Sequence, residues 1–238
     1  MATKMTNAAI ETMTSTLGTT PRLHPVTGAL NAFVKRGFDL ALASAALVML
    51  APLLIGLAVL LKREGGPVVF TQRRVGRAGA RFDCLKFRTM LPDAEARLAT
   101  LLATDPAAAA EWKTHQKLSN DPRITRVGRI LRATSLDELP QLLNVIRGEM
   151  SLVGPRPIVA PEVAGYASDH AYFASDAFAD YAACMPGITG LWQVSGRNTT
   201  SHDERIRLDR AYACDWSFWM DLKIIVRTLG VIANRSGS

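Results

Sequence analysis

The chain has 238 residues, enough to bury one hydrophobic core with an appendage beside it. Its formal charge of +7 points to anionic partners, while aromatic residues at only 7 % and the lack of any RNA-recognition or zinc-finger pattern argue against nucleic acid. The cysteines Cys84, Cys184 and Cys214 are odd in number and widely spaced; they predict no disulfide framework and no CxxC zinc site, only buried, reduced thiols.

Residues 1–30 are rich in Thr, Ala and Ser, with Pro21 and Pro25, and lack the apolar stretch of a signal peptide. They are expected to be a disordered N-terminal extension. From Leu40 to Leu61 the chain carries no charge, and a straight helix of that length would reach about 33 Å, enough to cross a bilayer core. Pro52 falls inside this run, and Lys35 and Arg36 before it are matched by Lys62 and Arg63 after it. A proline favours a break, and basic residues stay on the cytoplasmic side, so both flanks belong there. The expectation is a re-entrant membrane helix over residues 31–63, broken at Pro52. A straight span and a buried core helix are the competing readings.

Pro67 to Gln72 and Arg81 to Phe87 predict two short strands around a turn at Val75 to Gly79, a small β-hairpin rich in arginine. That charge suits an anionic leaflet surface or a solvated loop. Residues 91–118 predict helix with a break at Asp105-Pro106 and carry no evident chemistry. In Ile124 to Ala133, Ile124, Val127, Ile130 and Leu131 form an apolar face, and Arg123, Arg126, Arg129 and Arg132 recur every third residue. Most of these arginines are expected on a solvated face; Arg132 is set apart by its closeness to the acids that follow.

Those acids are Asp137 and Glu138, in Ser135-Leu136-Asp137-Glu138-Leu139-Pro140-Gln141. Adjacent carboxylates repel, so nearby arginines must hold both ionised, and a charged carboxylate serves as nucleophile or metal ligand. The structural alternative for Glu138 is a capping box with Ser135 at the start of the helix Leu139 to Ile146. Gly154-Pro155-Arg156-Pro157 is a stiff loop that presents one arginine, suited to phosphate or simply a turn. Pro186 to Asn198 is a glycine-punctuated loop with Trp192 that suits a sugar, a nucleotide or a structural connection. Trp216 to Ile232 is amphipathic, with Trp219, Leu222, Ile225, Val226 and Leu229 at helical spacing, for a membrane interface or a core. His24, His115, His170 and His202 show no metal spacing, and there is no Walker loop or GxGxxG.

Taken in order, Lys35 to Asp39, the apolar run with its proline, Lys86-Phe87-Arg88-Thr89-Met90, the Asp137-Glu138 segment, Gly154-Pro155-Arg156-Pro157 and Trp192-Gln193-Val194-Ser195-Gly196-Arg197-Asn198 resemble the bacterial sugar transferases, the monotopic phosphoglycosyl transferases. The likeness runs from about residue 31 to the C-terminus. It is greatest to the short, exopolysaccharide-initiating undecaprenyl-phosphate galactose phosphotransferases of the ExoY type.

The resemblance implies transfer of a hexose 1-phosphate, galactose favoured, from a UDP-sugar to undecaprenyl phosphate with release of UMP, at the cytoplasmic face of the bacterial inner membrane. It implies Asp137 as nucleophile, through a covalent phosphosugar intermediate. Glu138 is its partner as metal ligand or base, and Mg2+ is the cofactor held at Asp137 and Glu138. It implies Arg132 and Arg156 on the substrate phosphates, with Lys86, Arg88 and Arg197 as further basic positions, and a membrane break at Pro52, where the family's Ser-Pro pair is Ala51-Pro52. The fold implied is α+β: a monotopic membrane protein with a re-entrant helix, and a compact, mostly helical cytosolic domain over residues 64–238 with interfacial amphipathic helices. UDP-sugar, undecaprenyl phosphate and membrane lipid are the partners expected, nucleic acid is not, and a homo-oligomer is left open. The rival classes are a single-pass membrane adaptor with a basic docking face and a soluble nucleic-acid-binding protein.

Overall fold

The computed structural model describes residues 28–115, 118–163, 166–196 and 201–233. Residues 1–27 of the expected N-terminal extension lie outside these, and Ala29 and Leu30 already belong to the first helix, α1 (Ala29–Arg63). Pro52 sits inside this one helical element rather than between two helices. A proline removes a single i→i−4 bond, here the one to Val48, and helical turns can propagate on either side of it.

The charged residues ahead of the apolar run fasten α1 to the rest of the molecule. The Lys35 ammonium is 2.6 Å from Asp221 Oδ2 and donates to the Val153 carbonyl at 3.0 Å. Arg36 donates to the carbonyls of Val145 and Ile146, and Asp39 accepts from the Ser151 hydroxyl and the Leu152 N–H. Ala43 is fully buried among Phe82, Leu142, Val145 and Met150. At the other end, Leu61 is buried against Phe87 and Leu131. Between them the helix is open. Its most apolar 18-residue window has a mean hydropathy of 2.5 and is only 6 % buried, and Val48, Met49 and Ile55 are exposed. A core helix of a soluble protein would bury such residues, so that reading is set aside.

The hairpin forms, with its second strand as expected and its first starting two residues later and running three residues further: β1 (Val69–Val75) and β2 (Arg81–Phe87) pair antiparallel, with Val69 opposite Phe87 and Val75 opposite Arg81. Three short strands were not foreseen. Of these, β4 (Ile158–Val159) pairs with the far edge of β1, while β3 (Ser151–Val153) and β5 (Gly187–Thr189) form a separate parallel pair. Strands of two or three residues show no periodicity to read. The open edge of β2 is covered by a side chain: Asn144, fully buried, accepts from the Leu85 N–H and donates to the Asp83 carbonyl.

Helices α2 (Ala94–Thr104) and α3 (Pro106–His115) meet at Asp105, whose carboxylate accepts the N–H groups of Ala107 and Ala108. In α4 (Arg126–Thr134) the apolar face differs from expectation. Leu131 is buried, but Ile130 is 63 % exposed. Gly128 makes the close contact instead: a Cβ there would lie 2.0 Å from the Thr89 carbonyl oxygen. Arg123, expected in solvent, is buried in a two-pronged pair with Asp121. The chain continues through α5 (Gln141–Arg147), α6 (Ala167–Phe173), α7 (Phe178–Ala183), α8 (Leu191–Val194) and α9 (His202–Asp215) to α10 (Phe218–Ala233). Helix α10 turns Asp221 and Ile224 inward, while Trp219, Leu222, Val226 and Leu229 face out. The fold is thus mixed helix and strand, with one long apolar N-terminal helix.

Candidate active site

Helix α4 ends at Ser135, which takes a left-handed conformation (φ 56°) and donates its N–H back to Arg132. The chain then winds through one 3-10 turn, Leu136–Glu138. Ser135 makes no side-chain cap there, so the capping box expected as the alternative for Glu138 does not form. Glu138 turns to the sheet instead. Its Oε1 is 2.7 Å from the Lys86 ammonium and 3.6 Å from Arg156 Nη1.

Asp137 is half-buried on the same turn. Burial raises its carboxyl above the ordinary aspartate range and Glu138 adds to this, while Lys86 and Arg132 pull it back. A carboxylate so placed has lost part of its hydration and keeps its charge only by virtue of its cationic neighbours.

Lys86, Glu138 and Arg156 line a shallow, open cleft together with Arg74, Cys84, Gln141, Pro157, Gly187 and Ile188. Burial pushes the Cys84 thiol up, which disfavours the reactive thiolate. The glycines beyond β3 explain how the loop reaches this wall. A Cβ on Gly154 would fall 2.2 Å from the Met185 oxygen, one on Gly187 2.1 Å from the Gly154 nitrogen, and one on Gly190 2.1 Å from the Gly154 oxygen. The Pro186 to Gly190 segment is therefore a backbone cradle for Gly154-Pro155-Arg156-Pro157, which resolves that part of the loop as a structural connection. Trp192, on α8, lies beside Arg156, whose guanidinium is 5.9 Å from the ring centroid.

The expected basic residues separate into three groups. Lys86 and Arg156 converge on Glu138. Arg132 acts on Asp137 through its charge, while its Nε donates to the Thr89 hydroxyl at 2.8 Å. Arg88 is directed elsewhere: it is buried and donates to the Leu61 carbonyl at 3.2 Å and to the Gly65 carbonyl, capping the C-terminal end of α1. The cause is the end of β2 at Phe87, beyond which strand alternation no longer orients the chain. Arg197 lies outside the described residues.

For a divalent cation, the described residues hold no group of three or more His, Cys, Asp or Glu side chains. Adjacent carboxylates at Asp137 and Glu138 remain, and they suit Mg2+ bound through one or two carboxylates and the phosphates of a substrate, not an all-protein cage. Arg74, Gln141, Asp169 and Arg205, which bound or support the cleft, were not singled out from the sequence as site residues. Asp169 and Arg205 had no motif or spacing to mark them.

Comparison with known proteins agrees with this geometry. Residues 30–235 match the family described as bacterial sugar transferase. The chain is 48 % identical over 206 residues to the undecaprenyl-phosphate galactose phosphotransferase of Salmonella typhimurium, covering 87 % of this chain and 42 % of that protein. It is 44 % identical over 210 residues to the exopolysaccharide production protein ExoY of Rhizobium meliloti, covering 88 % and 89 %. It is also 44 % identical over 204 residues to the UDP-glucose:undecaprenyl-phosphate glucose-1-phosphate transferase of Caulobacter vibrioides, covering 82 % and 68 %. The chain spans less than half the length of the Salmonella relative. With an acid pair on one turn, two cations converging on it and a family match over most of its length, this chain belongs to the bacterial sugar transferase family.

Proposed function

We propose that this protein transfers a hexose 1-phosphate from a UDP-sugar to undecaprenyl phosphate at the cytoplasmic face of the bacterial inner membrane, an initiating step of exopolysaccharide assembly. The observation that carries this is the Asp137-Glu138 turn, ringed by Lys86, Arg132 and Arg156 on a domain whose first helix leaves its apolar surface open. The names of the relatives supply the substrate classes: galactose and glucose donors, and undecaprenyl phosphate. Galactose is the donor sugar proposed.

In the first step an Asp137 carboxylate oxygen attacks the β-phosphorus of the donor. The bond from that phosphorus to the oxygen bridging to the α-phosphate breaks, and UMP leaves with the electron pair. In the second step a phosphate oxygen of undecaprenyl phosphate attacks the same phosphorus. The acyl-phosphate bond breaks and the Asp137 carboxylate is restored. Lys86 and Arg156 hold Glu138 in place and, with Arg132, supply positive charge to the diphosphate. Mg2+ at Asp137 and Glu138 would neutralise charge on the phosphate oxygens. Two steps at one aspartate let a small site serve a soluble donor and a bilayer-bound acceptor in turn.

The re-entrant reading of α1 is supported by its two docked ends. Lys35 and Asp39 near the start, and Leu61 near the end, are all fixed to the same globular body. Tags placed at both ends of the apolar run are expected to be cytosolic, and one periplasmic tag would restore the straight span. The outward face of α10 is read as lying in the membrane interface.

The test is UMP release by detergent-solubilised protein with undecaprenyl phosphate, Mg2+ and a panel of UDP-sugars. Release with one sugar, lost with EDTA and in Asp137→Asn, is expected. So is a protein mass increased by one hexose phosphate when the acceptor is withheld. Full activity in Asp137→Asn would remove the nucleophile. No release with any UDP-sugar would turn the search to other nucleotide donors and then to a non-catalytic membrane adaptor.

A further inference from the structure

Arg156 sits in a segment that is short of backbone donors. Pro155 and Pro157 carry no N–H, so Gly154-Pro155-Arg156-Pro157 cannot be fastened by an ordinary strand ladder. Beyond the Gly154 N–H, which donates to the Thr189 carbonyl at 2.9 Å, it is fastened by its carbonyls. Three in succession are taken: Pro155 accepts from the Gly187 N–H at 2.9 Å, Arg156 from Arg205 Nη2 at 3.3 Å, and Pro157 from Arg74 Nη1 at 2.6 Å. Two of the three donors are therefore guanidiniums, and both are buried.

One carboxylate ties those guanidiniums together. Asp169 Oδ1 is 2.7 Å from Arg205 Nη1, and Oδ2 is 3.7 Å from Arg74 Nη1. The same Oδ2 accepts the Val159 N–H at 2.8 Å, just beyond the loop. Asp169 is itself buried. Burial alone would raise its carboxyl, but Arg205, the Val159 N–H and Arg74 outweigh that and hold it below the ordinary range. Trp192 completes the arrangement, with the guanidiniums of Arg205 at 5.3 Å and Arg156 at 5.9 Å from its ring centroid. Without the Asp169 charge, two buried guanidiniums would face each other and Arg156 with less counter-charge, and such groups move toward water. The loop carbonyls would lose their donors in the process.

Resting on the function proposed above, we infer that Asp169 is a positioning residue: through Arg205 and Arg74 it fixes the Arg156 loop, so that the Arg156 guanidinium meets the diphosphate of the donor. Arg74 and Arg205 are occupied by the loop, and Arg156 faces Glu138 and the cleft. The order runs from Asp169 to the two arginines, from these to consecutive carbonyls, and from the carbonyls to one side chain.

The test is a double-mutant cycle on the full-length, detergent-solubilised protein, with melting temperature and hydrogen exchange of residues 151–160 measured alongside UMP release. Asp169→Asn is expected to lower kcat/KM for the UDP-sugar about 10- to 100-fold in the native background, but less than about 3-fold when Arg156 is already alanine, because coupled residues do not add. Exchange in the loop should rise in the single variant. Losses that add in full, or a loop whose exchange is unchanged, overturn the inference and leave Asp169 a purely structural residue. Should Asp169→Asn fail to fold, Arg205→Lys makes the same comparison, since it keeps the charge and loses the two-pronged geometry. A native protein that releases no UMP from any UDP-sugar refutes the function proposed above, and the exchange measurement then decides the positioning role by itself.

Discussion

Lys86 Nζ and Glu138 Oε1 are 2.7 Å apart, a contact that joins the end of β2 to the acid-bearing turn across 52 residues of chain. Lys86 also pulls down the raised carboxyl of Asp137 beside it. Asp137, the proposed nucleophile, must be ionised to attack, so activity is expected to fall as pH drops through that raised value. Lys86→Met takes the restraint away and should move the acid limb of kcat/KM to higher pH, with at least about a tenfold loss at neutral pH. A pH profile from 5 to 8 checks this, and an acid limb that stays in place would mean that Lys86 does not act on Asp137.

Arg88 and Arg156 should separate cleanly. Arg88→Ala removes charged donors from the end of α1 and is expected to cost about 1.5–3 kcal/mol of stability, with KM for the donor nearly unchanged in the protein that remains folded. Arg156→Ala should do the reverse, raising KM or lowering kcat while the melting temperature holds. A change in donor KM with Arg88→Ala would return that residue to the substrate site.

Glycine substitutions distinguish the cradle from the open helix α1. Gly154→Ala would place its Cβ 2.2 Å from a backbone oxygen and is expected to cost more than about 4 kcal/mol. Gly37→Ala meets nothing within 4 Å and, in a helix interior, should gain about 0.5–1 kcal/mol. Thermal unfolding of both variants in the same detergent is the measurement.

Asp209 links stability to pH. Burial raises its carboxyl to about 7 from an ordinary 3.8, although Arg205 and the Tyr172 hydroxyl oppose it. The fold then binds a proton that the unfolded chain has released. The stability due to this group is complete below about pH 3.8 and is lost as pH rises through about 7. Asp209→Asn mimics the neutral form and should flatten the melting temperature between pH 4.5 and 8. A variant with the native slope would show that another group carries the dependence.

The outward face of α10 is expected to hold the protein to lipid. Trp219→Glu and Val226→Glu place charge on residues that are 68 % and 62 % exposed, so each should change folding stability by no more than about 0.5 kcal/mol. Flotation with vesicles containing anionic lipid should show weaker association for the pair than for the native chain. Unchanged flotation would assign membrane association to α1 alone.

Local features were legible in the sequence because they rest on short-range spacing. The uncharged run, the β1–β2 hairpin, the break at Asp105-Pro106 and the adjacent acids Asp137 and Glu138 are each contained within one element or turn. So is the amphipathic pattern of α10, although its direction was not: Trp219, Leu222, Val226 and Leu229 face outward while Ile225 packs against the core, because Asp221 is drawn inward by Lys35 and by the Tyr212 hydroxyl. The tertiary structure decided which charged groups work together. Lys86 reaches Glu138 while Arg88, two residues on, caps α1, because the strand ends between them. Lys35 and Asp221 meet across 186 residues, and Asp169 meets Arg74 and Arg205 from separate elements. Periodicity places a side chain on a face of its own helix or strand, but the partner on that face comes from packing among distant segments, and no local spacing encodes it.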